Sequence, residues 1–361
     1  MPMLFVRSLF RLVSCVRDAV PFLLVATLAL SAGCAASDAG AAARPGGASA
    51  SSPAVPAAWR PLLQRLQADG LDGPDLAPLF ASLGETPSQD PMGRKIRELY
   101  TKAFAPKPKP KAAPAGKPAK PAKPAKRLPP PVYPGVVTQA NAQRCRDFLK
   151  AHKASFDRAQ RTYGVPREIA VALLFVETRL GDFLGGEKAF RTLASMAASR
   201  DPAQIPDYLA KLPDADQRRD WIRQKMEQRS DWAYREFTAL LANARAAGAD
   251  PLAMPGSIYG AVGLCQFMPS NITLFGADGN GDGVIDLFTV PDAVASLSNY
   301  LKKNGWKPGL TRLQQHRVIK SYNRVNIYAN TILALADATR APASKPASKP
   351  ASKSASRPAR R

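Results

Sequence analysis

The fold is decided by the stretch 163–181, which reads YGVPREIAVALLFVETRLG. Pro166 suits the first position of a helix and Gly181 suits its end, so the stretch predicts one helix between them. Its apolar stripe follows the helical spacing i, i+4, i+7 and i+11, at Ile169, Leu173, Val176 and Leu180. Helical spacing recurs over 132–340 without convincing strand pairs, which predicts a mainly α fold.

One carboxylate of this helix, Glu177, lies four residues after Leu173 and therefore on or beside the apolar stripe. A carboxyl group in apolar surroundings has its charged form destabilised, which raises its pKa. A proton donor to a glycosidic oxygen needs a raised pKa, so Glu177 is a candidate general acid. The alternative is a structural carboxylate that reaches solvent or pairs with Arg179 at the helix end.

A second stretch, 278–286, reads DGNGDGVID and has the spacing of a calcium-binding loop. It offers side-chain oxygens at loop positions 1, 3, 5 and 9, with Gly283 at the sharp turn. Thr289 stands where the usual bidentate glutamate is expected, and Asp292, three residues later, is placed to close the site instead. The pattern favours Ca²⁺, with candidate ligands Asp278, Asn280, Asp282, Val284 (through its carbonyl) and Asp292. A metal-free turn is the alternative.

The N-terminus predicts export from the cytoplasm. Residues 1–33 place arginines first, then an apolar run over 19–30, then small residues, which is the order of a secretory signal. The apolar run is too short to span a bilayer comfortably. Ser-Ala-Gly-Cys at 31–34 resembles a bacterial lipoprotein signal in which Cys34 is lipidated, although the preferred leucine stands one position early. A plain secretory signal is the alternative.

The net charge of +23 is concentrated in low-complexity sequence. Residues 107–127 hold eight basic side chains and no acid, and residues 341–361 hold six more. These Lys/Pro/Ala-rich stretches cannot bury a core and are typical of a stiff spacer and a disordered tail. Export argues against the nucleic-acid binding that such a charge would otherwise suggest. With only two histidines in the chain, a His-rich zinc site is excluded.

Further motifs follow the Glu177 helix in order: GSIYGAVGLCQFMPS at 256–270, the loop at 278–286, NYL at 299–301, Gly305-Trp306 and Tyr322-Asn323. Together with the Glu-Thr-x-x-Gly block at 177–181, they resemble the membrane-bound lytic murein transglycosylase B family. The resemblance implies a mainly α, lysozyme-like, SLT-type catalytic domain with an EF-hand-like metal loop. It also implies cleavage of the MurNAc–GlcNAc β-1,4 bond of peptidoglycan without water, which leaves 1,6-anhydro-MurNAc ends.

The resemblance further implies roles for single residues. Glu177 matches the single catalytic acid/base of the family. The positions that match substrate-binding residues are Ser257, Gln266, Tyr322, Asn323 and Tyr328, and more loosely Arg229. The family's metal loop likewise lacks the glutamate and uses an acid at the position of Asp292, which implies a structural Ca²⁺ and no organic cofactor.

The predicted layout has six segments: a signal peptide at 1–33, a lipidated Cys34 with a flexible tether at 34–58, a small helical subdomain at 59–104, a Lys/Pro-rich linker at 105–131, the transglycosylase domain at 132–340 and a basic tail at 341–361. The expected location is the periplasmic face of the outer membrane, or the soluble periplasm without the lipid. Expected partners are peptidoglycan glycan strands and, through the anchor, the membrane; other cell-wall enzymes are possible partners. Two rival functions stay open, a hydrolytic muramidase of the same fold and a non-catalytic peptidoglycan-binding lipoprotein.

Overall fold

The computed structural model describes residues 54–105 and 130–341. The predicted signal peptide, Cys34, most of the tether and nearly all of the linker and of the basic tail lie outside these residues. The described part is mainly helical, with thirteen α-helices, so the predicted mainly α class is confirmed. None of these helices combines the length and the apolar character needed to cross a bilayer.

The chain divides into two compact units between Pro87 and Ser88. In the first unit, a 3₁₀ turn (Ala57–Trp59) precedes α1 (Arg60–Ala68) and α2 (Leu76–Ala81). Its small core is built on Trp59, which is fully buried and whose indole Nε1 donates to the carbonyl of Gly84 at 2.7 Å. The division falls within the segment 59–104, which the sequence predicts as one subdomain.

The second unit contains the remaining helices. They are α3 (Asp90–Phe104), α4 (Gln139–Ala151), α5 (Lys153–Tyr163), α6 (Arg167–Thr178), α7 (Ala189–Ala198), α8 (Pro206–Leu209), α9 (Arg219–Ala246), α10 (Pro269–Phe275), α11 (Val290–Lys303), α12 (Arg312–Tyr322) and α13 (Asn326–Arg340). The long helix α9 packs against α3, α7 and α10. The helix that carries Glu177, α6, packs against α4, α5, α11 and α13.

Helix α6 is buried on nearly all sides, as its almost continuous apolar sequence requires. It ends at Thr178, three residues before Gly181, because Arg179 and Leu180 adopt left-handed backbone conformations with φ of 54° and 70°. The Thr178 hydroxyl donates to the carbonyl of Leu264 at 2.9 Å, which ties this end to the following motif. Glu177 therefore lies in the last turn of a fixed helix, beside the 256–270 motif.

A short antiparallel pair joins the loop after α6 to that motif. Strand β1 (Glu187–Lys188) pairs with β2 (Pro255–Gly256), with Glu187 opposite Gly256. Gly185 has a φ of 121°, and a Cβ there would lie 2.0 Å from the Gly256 carbonyl oxygen, so only glycine allows this approach. The pairing places Ser257, which directly follows β2, next to the loop that leaves the Glu177 helix.

Candidate active site

Glu177 is a buried carboxyl group with one hydrogen-bond donor. Glu177 is 9% exposed, and the hydroxyl of Tyr328 donates a hydrogen bond to its Oε1. Burial raises the pKa of Glu177 from 4.5 to about 7, against a smaller lowering by the Tyr328 hydrogen bond. A carboxyl group with this pKa exists in both protonation states at neutral pH, so it can donate a proton and later accept one.

Two stacked tyrosine rings, one of which contacts this carboxyl group, form one side of the site. Tyr322 is stacked on Tyr328, with ring centroids 6.5 Å apart and an interplanar angle of 13°. The Tyr322 hydroxyl donates to the carbonyl of Cys265, which fixes the ring against the 256–270 motif. Burial and the nearby charge of Glu177 raise the pKa of Tyr328 well above its ordinary value, so this hydroxyl stays a donor.

Tyr133 is a further residue near Glu177, and the sequence reasoning missed it. Burial, followed by the charge of Glu177, raises the pKa of Tyr133, so this phenol lies within electrostatic reach of the carboxyl group. Its backbone N–H donates to Thr331 Oγ1 at 2.8 Å, which anchors it on α13. The residue stands between Pro131 and Pro134 at the end of a low-complexity segment, where no periodic pattern marks it as part of a site.

The predicted residue Ser257 lies in a tight, buried turn. Its Oγ accepts the backbone N–H groups of Tyr259 at 3.3 Å and Ala261 at 3.0 Å. Among the described residues no acceptor receives its own hydroxyl proton. Ser257 is 8% exposed, so its hydroxyl could donate a hydrogen bond to a ligand oxygen at a point that is largely shielded from water.

Helix α3 contacts this turn through Glu98 and Lys95. The Tyr259 hydroxyl donates to Glu98 Oε1 at 2.7 Å, and Glu98 Oε2 pairs with Lys95 Nζ at 3.0 Å. The Lys95 ammonium also lies over the Tyr259 ring, 3.8 Å from its centroid. Lys95 and Tyr259 are both nearly fully buried, so the contact fixes the Ser257 turn through a charged group inside the protein.

Gln266 combines backbone strain with an unused acceptor. Its φ is 50°, a left-handed conformation that costs a non-glycine residue about 1–3 kcal/mol. The side-chain Nε2 donates to the carbonyls of Leu184 at 3.0 Å and Gly263 at 3.1 Å. The other amide atom, Oε1, is buried and has no partner in the described part of the chain. That orientation leaves an acceptor for an N–H group of a ligand, such as an acetamido group.

The other two predicted binding residues differ in what surrounds them. Asn323 is 6% exposed at the end of α12, and its Oδ1 accepts the backbone N–H of Val325 at 3.3 Å. Arg229 lies on α9, with its Nε buried and without a partner among the described residues. No contact within residues 54–105 and 130–341 joins Arg229 to Glu177, so its role stays a prediction.

The two cysteines of the described residues are buried thiols. Cys145 and Cys265 are both buried and free. Burial raises the pKa of the Cys145 thiol to about 11 and that of the Cys265 thiol further. Both side chains are therefore neutral thiols at physiological pH, and Cys265 acts as a small packing residue beside Tyr322.

The predicted metal loop is folded around its own carboxylates. Asp278 accepts backbone N–H groups from Gly283 and Gly281, and these bonds, in that order, lower its pKa. Asp292, 1% exposed, accepts the N–H groups of Gly279 and Asp286, each at 2.8 Å. In the described ranges, no three His, Cys, Asp or Glu side chains lie close enough together to bind one metal ion. The donor chemistry nevertheless fits Ca²⁺, because all five candidate ligands offer oxygen and the buried Asp292 carboxylate has no cationic partner among the described residues.

Two sequence comparisons agree on the same family. Residues 93–314 match the family profile described as Transglycosylase SLT domain. Over 173 residues the chain is 31% identical to the membrane-bound lytic murein transglycosylase B of Escherichia coli (strain K12). That alignment covers 48% of this chain and 41% of the relative, so the chain matches less than half of that protein's length.

Solved structures share the fold. The E. coli lytic transglycosylase Slt35 in complex with calcium matches with a TM-score of 0.52 and 21% identity, covering 79% of this chain and 93% of that one. SltB3 from Pseudomonas aeruginosa, in complex with NAG-anhNAM-pentapeptide, matches with a TM-score of 0.53 and 18% identity, covering 78% of each chain.

Proposed function

This chain belongs to the transglycosylase SLT family, and on that premise we propose that it is a peptidoglycan lytic transglycosylase. It cleaves the MurNAc–GlcNAc β-1,4 bond and leaves 1,6-anhydro-MurNAc ends, in cell-wall remodelling. The murein transglycosylase relative and the anhydro-sugar ligand bound by SltB3 support this reaction class.

The observation that carries the proposal is the state of Glu177. A buried carboxyl group with a pKa of about 7 suits both halves of a non-hydrolytic cleavage. Ordinary glycosidases use two carboxylates, one as acid and one as base or nucleophile. Glu177 is the carboxyl group that contacts the stacked pair Tyr322 and Tyr328 through Tyr328, and a single acid/base suffices where the substrate supplies the nucleophile.

In the proposed mechanism, protonated Glu177 gives its proton to the leaving glycosidic oxygen while the C1–O bond breaks. The 2-acetamido group of the substrate stabilises C1. Gln266 holds that group by accepting a hydrogen bond at Oε1, and Ser257 holds it by donating one from its hydroxyl. The Glu177 carboxylate then takes the proton of the C6 hydroxyl as its oxygen bonds to C1. Tyr322, Tyr328 and Asn323 exclude water and orient the acetamido group.

Digestion of purified sacculi, followed by mass spectrometry, tests this function. We expect products that end in anhydro-MurNAc, each lighter by one water than a hydrolytic product. Reducing MurNAc ends would instead identify a muramidase, and no products would identify a binding protein. Glu177→Gln is the matched inactive control, because it keeps the shape and the Tyr328 contact but holds no exchangeable acidic proton.

We also propose that the loop at 278–292 binds a structural Ca²⁺ through Asp278, Asn280, Asp282, the Val284 carbonyl and Asp292. The calcium complex of Slt35 and the deep burial of the Asp292 carboxylate support it. When bound, the ion supplies charge compensation rather than chemistry. Calcium at a hundredfold excess over Kd should stabilise the folded chain by about 2.7 kcal/mol. Asp278→Asn should reduce the gain in melting temperature and exposed Asp220→Asn should not; no calcium shift in the unaltered protein would contradict the site.

For location, we propose that Cys34 carries lipid and anchors the protein at the periplasmic face of the outer membrane. The membrane-bound relative supports this. The segments 34–58 and 105–131 then serve as tethers on either side of the helical segment, which lets the domain at 132–340 reach the wall. Metabolic labelling with an alkyne fatty acid should mark the unaltered protein and not Cys34→Ser. Labelling of both, or of neither, would contradict the anchor.

A further inference from the structure

The Ser257 turn (257–261) holds the Ser257 hydroxyl in one orientation. A serine oxygen has two lone pairs and one proton. Both lone pairs are taken, since Oγ accepts the backbone N–H groups of Tyr259 at 3.3 Å and Ala261 at 3.0 Å. The Gly260 N–H also donates to the Ser257 carbonyl at 2.9 Å, which closes the turn. The direction left for the hydroxyl proton therefore depends on where the backbone of residue 259 lies.

The backbone at Tyr259 is fixed by its own side chain, which reaches helix α3. The Tyr259 hydroxyl donates to Glu98 Oε1 at 2.7 Å, while the ring lies beneath the Lys95 ammonium. Tyr259 is 2% exposed, and burial, followed by the bond to Glu98, raises its pKa, so the hydroxyl stays protonated and remains a donor. Of the two N–H contacts to the Ser257 Oγ, the one from Tyr259 is the longer, so a small shift of this residue would break it first.

Backbone pairing joins the Ser257 turn to the part of the site that holds Glu177. Directly after the turn, Val262 pairs with the residue before the turn on one side and with Phe267 on the other. The N–H groups of Val262 and Phe267 donate to each other's carbonyls at 2.8 and 3.1 Å. In the loop between these two residues, the Cys265 carbonyl accepts the hydroxyl of Tyr322, whose ring is stacked on the tyrosine that donates to Glu177. A shift of the turn therefore changes where the Ser257 hydroxyl lies relative to the proposed acid/base.

We propose that Tyr259 and Glu98 are positioning residues for the proposed reaction, because their hydrogen bond sets the direction in which Ser257 donates to the acetamido group of the substrate. The inference rests on the proposed function, since it assigns a further task within the same site. Tyr259 is buried and Glu98 is occupied by Tyr259 and Lys95, so both act through the backbone N–H of residue 259 rather than by touching the sugar. Phenylalanine would fill nearly the same space, so the hydroxyl contributes direction rather than volume.

Steady-state kinetics of Tyr259→Phe on soluble, peptide-free glycan strands tests the proposal with the full chain. Phenylalanine keeps the ring beneath Lys95 and removes only the hydroxyl. Because the Ser257 hydrogen bond is made before and during cleavage, its misdirection should raise KM roughly threefold to tenfold and leave kcat nearly unchanged. A merely structural role would lower the fraction of active protein, and with it kcat, without changing KM. Tyr100→Phe, the control, removes another buried hydroxyl of α3, which donates to the Pro213 carbonyl, and should change neither value.

A double-mutant cycle connects the effect to Ser257. In a Ser257→Ala background, where no hydroxyl remains to be directed, Tyr259→Phe should raise KM no further. Glu98→Gln keeps a hydrogen bond to the Tyr259 hydroxyl in either orientation of its amide, so KM should stay nearly unchanged although the protein becomes less stable. An unchanged KM in Tyr259→Phe, a full additional rise in the Ser257→Ala background, or a KM that rises with the loss of stability in Glu98→Gln would each overturn the proposal.

Binding to inactive protein separates this inference from the proposed function. In a Glu177→Gln background, Tyr259→Phe should weaken the Kd of a peptide-free glycan tetrasaccharide by a similar factor, and Tyr100→Phe should leave it unchanged. If the unaltered protein releases no anhydro ends and Tyr259→Phe still weakens binding only when Ser257 is present, the proposed function fails and the positioning role stands. Equal affinities with and without the Tyr259 hydroxyl would overturn the positioning role, whatever the products are.

Discussion

Glu177→Gln should change the stability of the protein in a pH-dependent way. The pKa of Glu177 is raised from 4.5 to about 7 in the folded state, so folding favours the protonated carboxyl group. The contribution of Glu177 to the free energy of unfolding is therefore fully present below pH 4.5, and it is lost as the pH rises through about 7. Glutamine is neutral throughout and its amide oxygen still accepts the Tyr328 hydroxyl, so the variant lacks this loss.

The size of the effect follows from the pKa. The rise from 4.5 to about 7, at about 1.4 kcal/mol for each tenfold change in proton affinity, corresponds to about 3 kcal/mol. At pH 4 the variant and the unaltered protein should have nearly equal free energies of unfolding. At pH 8 the variant should be more stable by about 3 kcal/mol, or roughly 6–12 °C in melting temperature.

Urea unfolding followed by circular dichroism at pH 4, 5.5, 7 and 8 measures this difference. Because every other titrating group is common to both proteins, subtraction isolates Glu177. Glu227→Gln, an exposed acid on α9, is the control and should change the free energy of unfolding only slightly. A constant difference for Glu177→Gln, or a less stable variant at pH 8, would refute the assignment of a buried, largely unpaired carboxyl group.

Three further predictions use other contacts. Tyr328→Phe removes the hydrogen bond that stabilises the Glu177 carboxylate, so the alkaline fall in kcat/KM should move to higher pH; a move to lower pH would contradict this. Gly260→Ala should cost more free energy of unfolding than Gly248→Ala, about 1–2 kcal/mol at Gly248, because both have positive φ but only Gly260 would place a Cβ 2.5 Å from Leu193. Glu98→Gln should cost about 1–3 kcal/mol in a urea titration, because it weakens the partner of buried Lys95; a cost no larger than that of Glu227→Gln would show that the pair contributes little.

The course of the Glu177 helix could be predicted from the sequence, and its end could not. Apolar spacing predicts α6 and places Glu177 against its buried stripe, and the structure has both. Gly181 is the end that the sequence predicts, because glycine readily adopts positive φ. The helix stops earlier because Arg179 and Leu180 adopt left-handed conformations, which the local sequence does not indicate for these two residue types. The bond from the Thr178 hydroxyl to Leu264, a residue far along the chain, is likewise not visible in the local sequence.

The rest of the site depends on residues that carry no local pattern. The spacing of the 163–181 stretch does not indicate that Tyr328 would face Glu177; only the family resemblance points there. Tyr133 escapes prediction because it stands beside a proline-rich segment. The strands β1 and β2 cannot be predicted from the sequence, because two residues are too few to show the alternation of apolar and polar side chains that marks a strand.

The pairing of β1 with β2 has a consequence for how the molecule reaches its working form. The two strands are far apart in sequence, and β1 consists of only two residues, so little local structure draws them together. To form such a pair, the chain must first bring the two ends of a long loop together, which costs conformational entropy. The pairing contacts repay this cost only afterwards, so pairs of this kind form late in folding. The Glu177 helix can therefore be complete while the cleft beside it is still open. In a newly made chain the Ser257 turn should therefore reach its place late, after the Glu177 helix has formed.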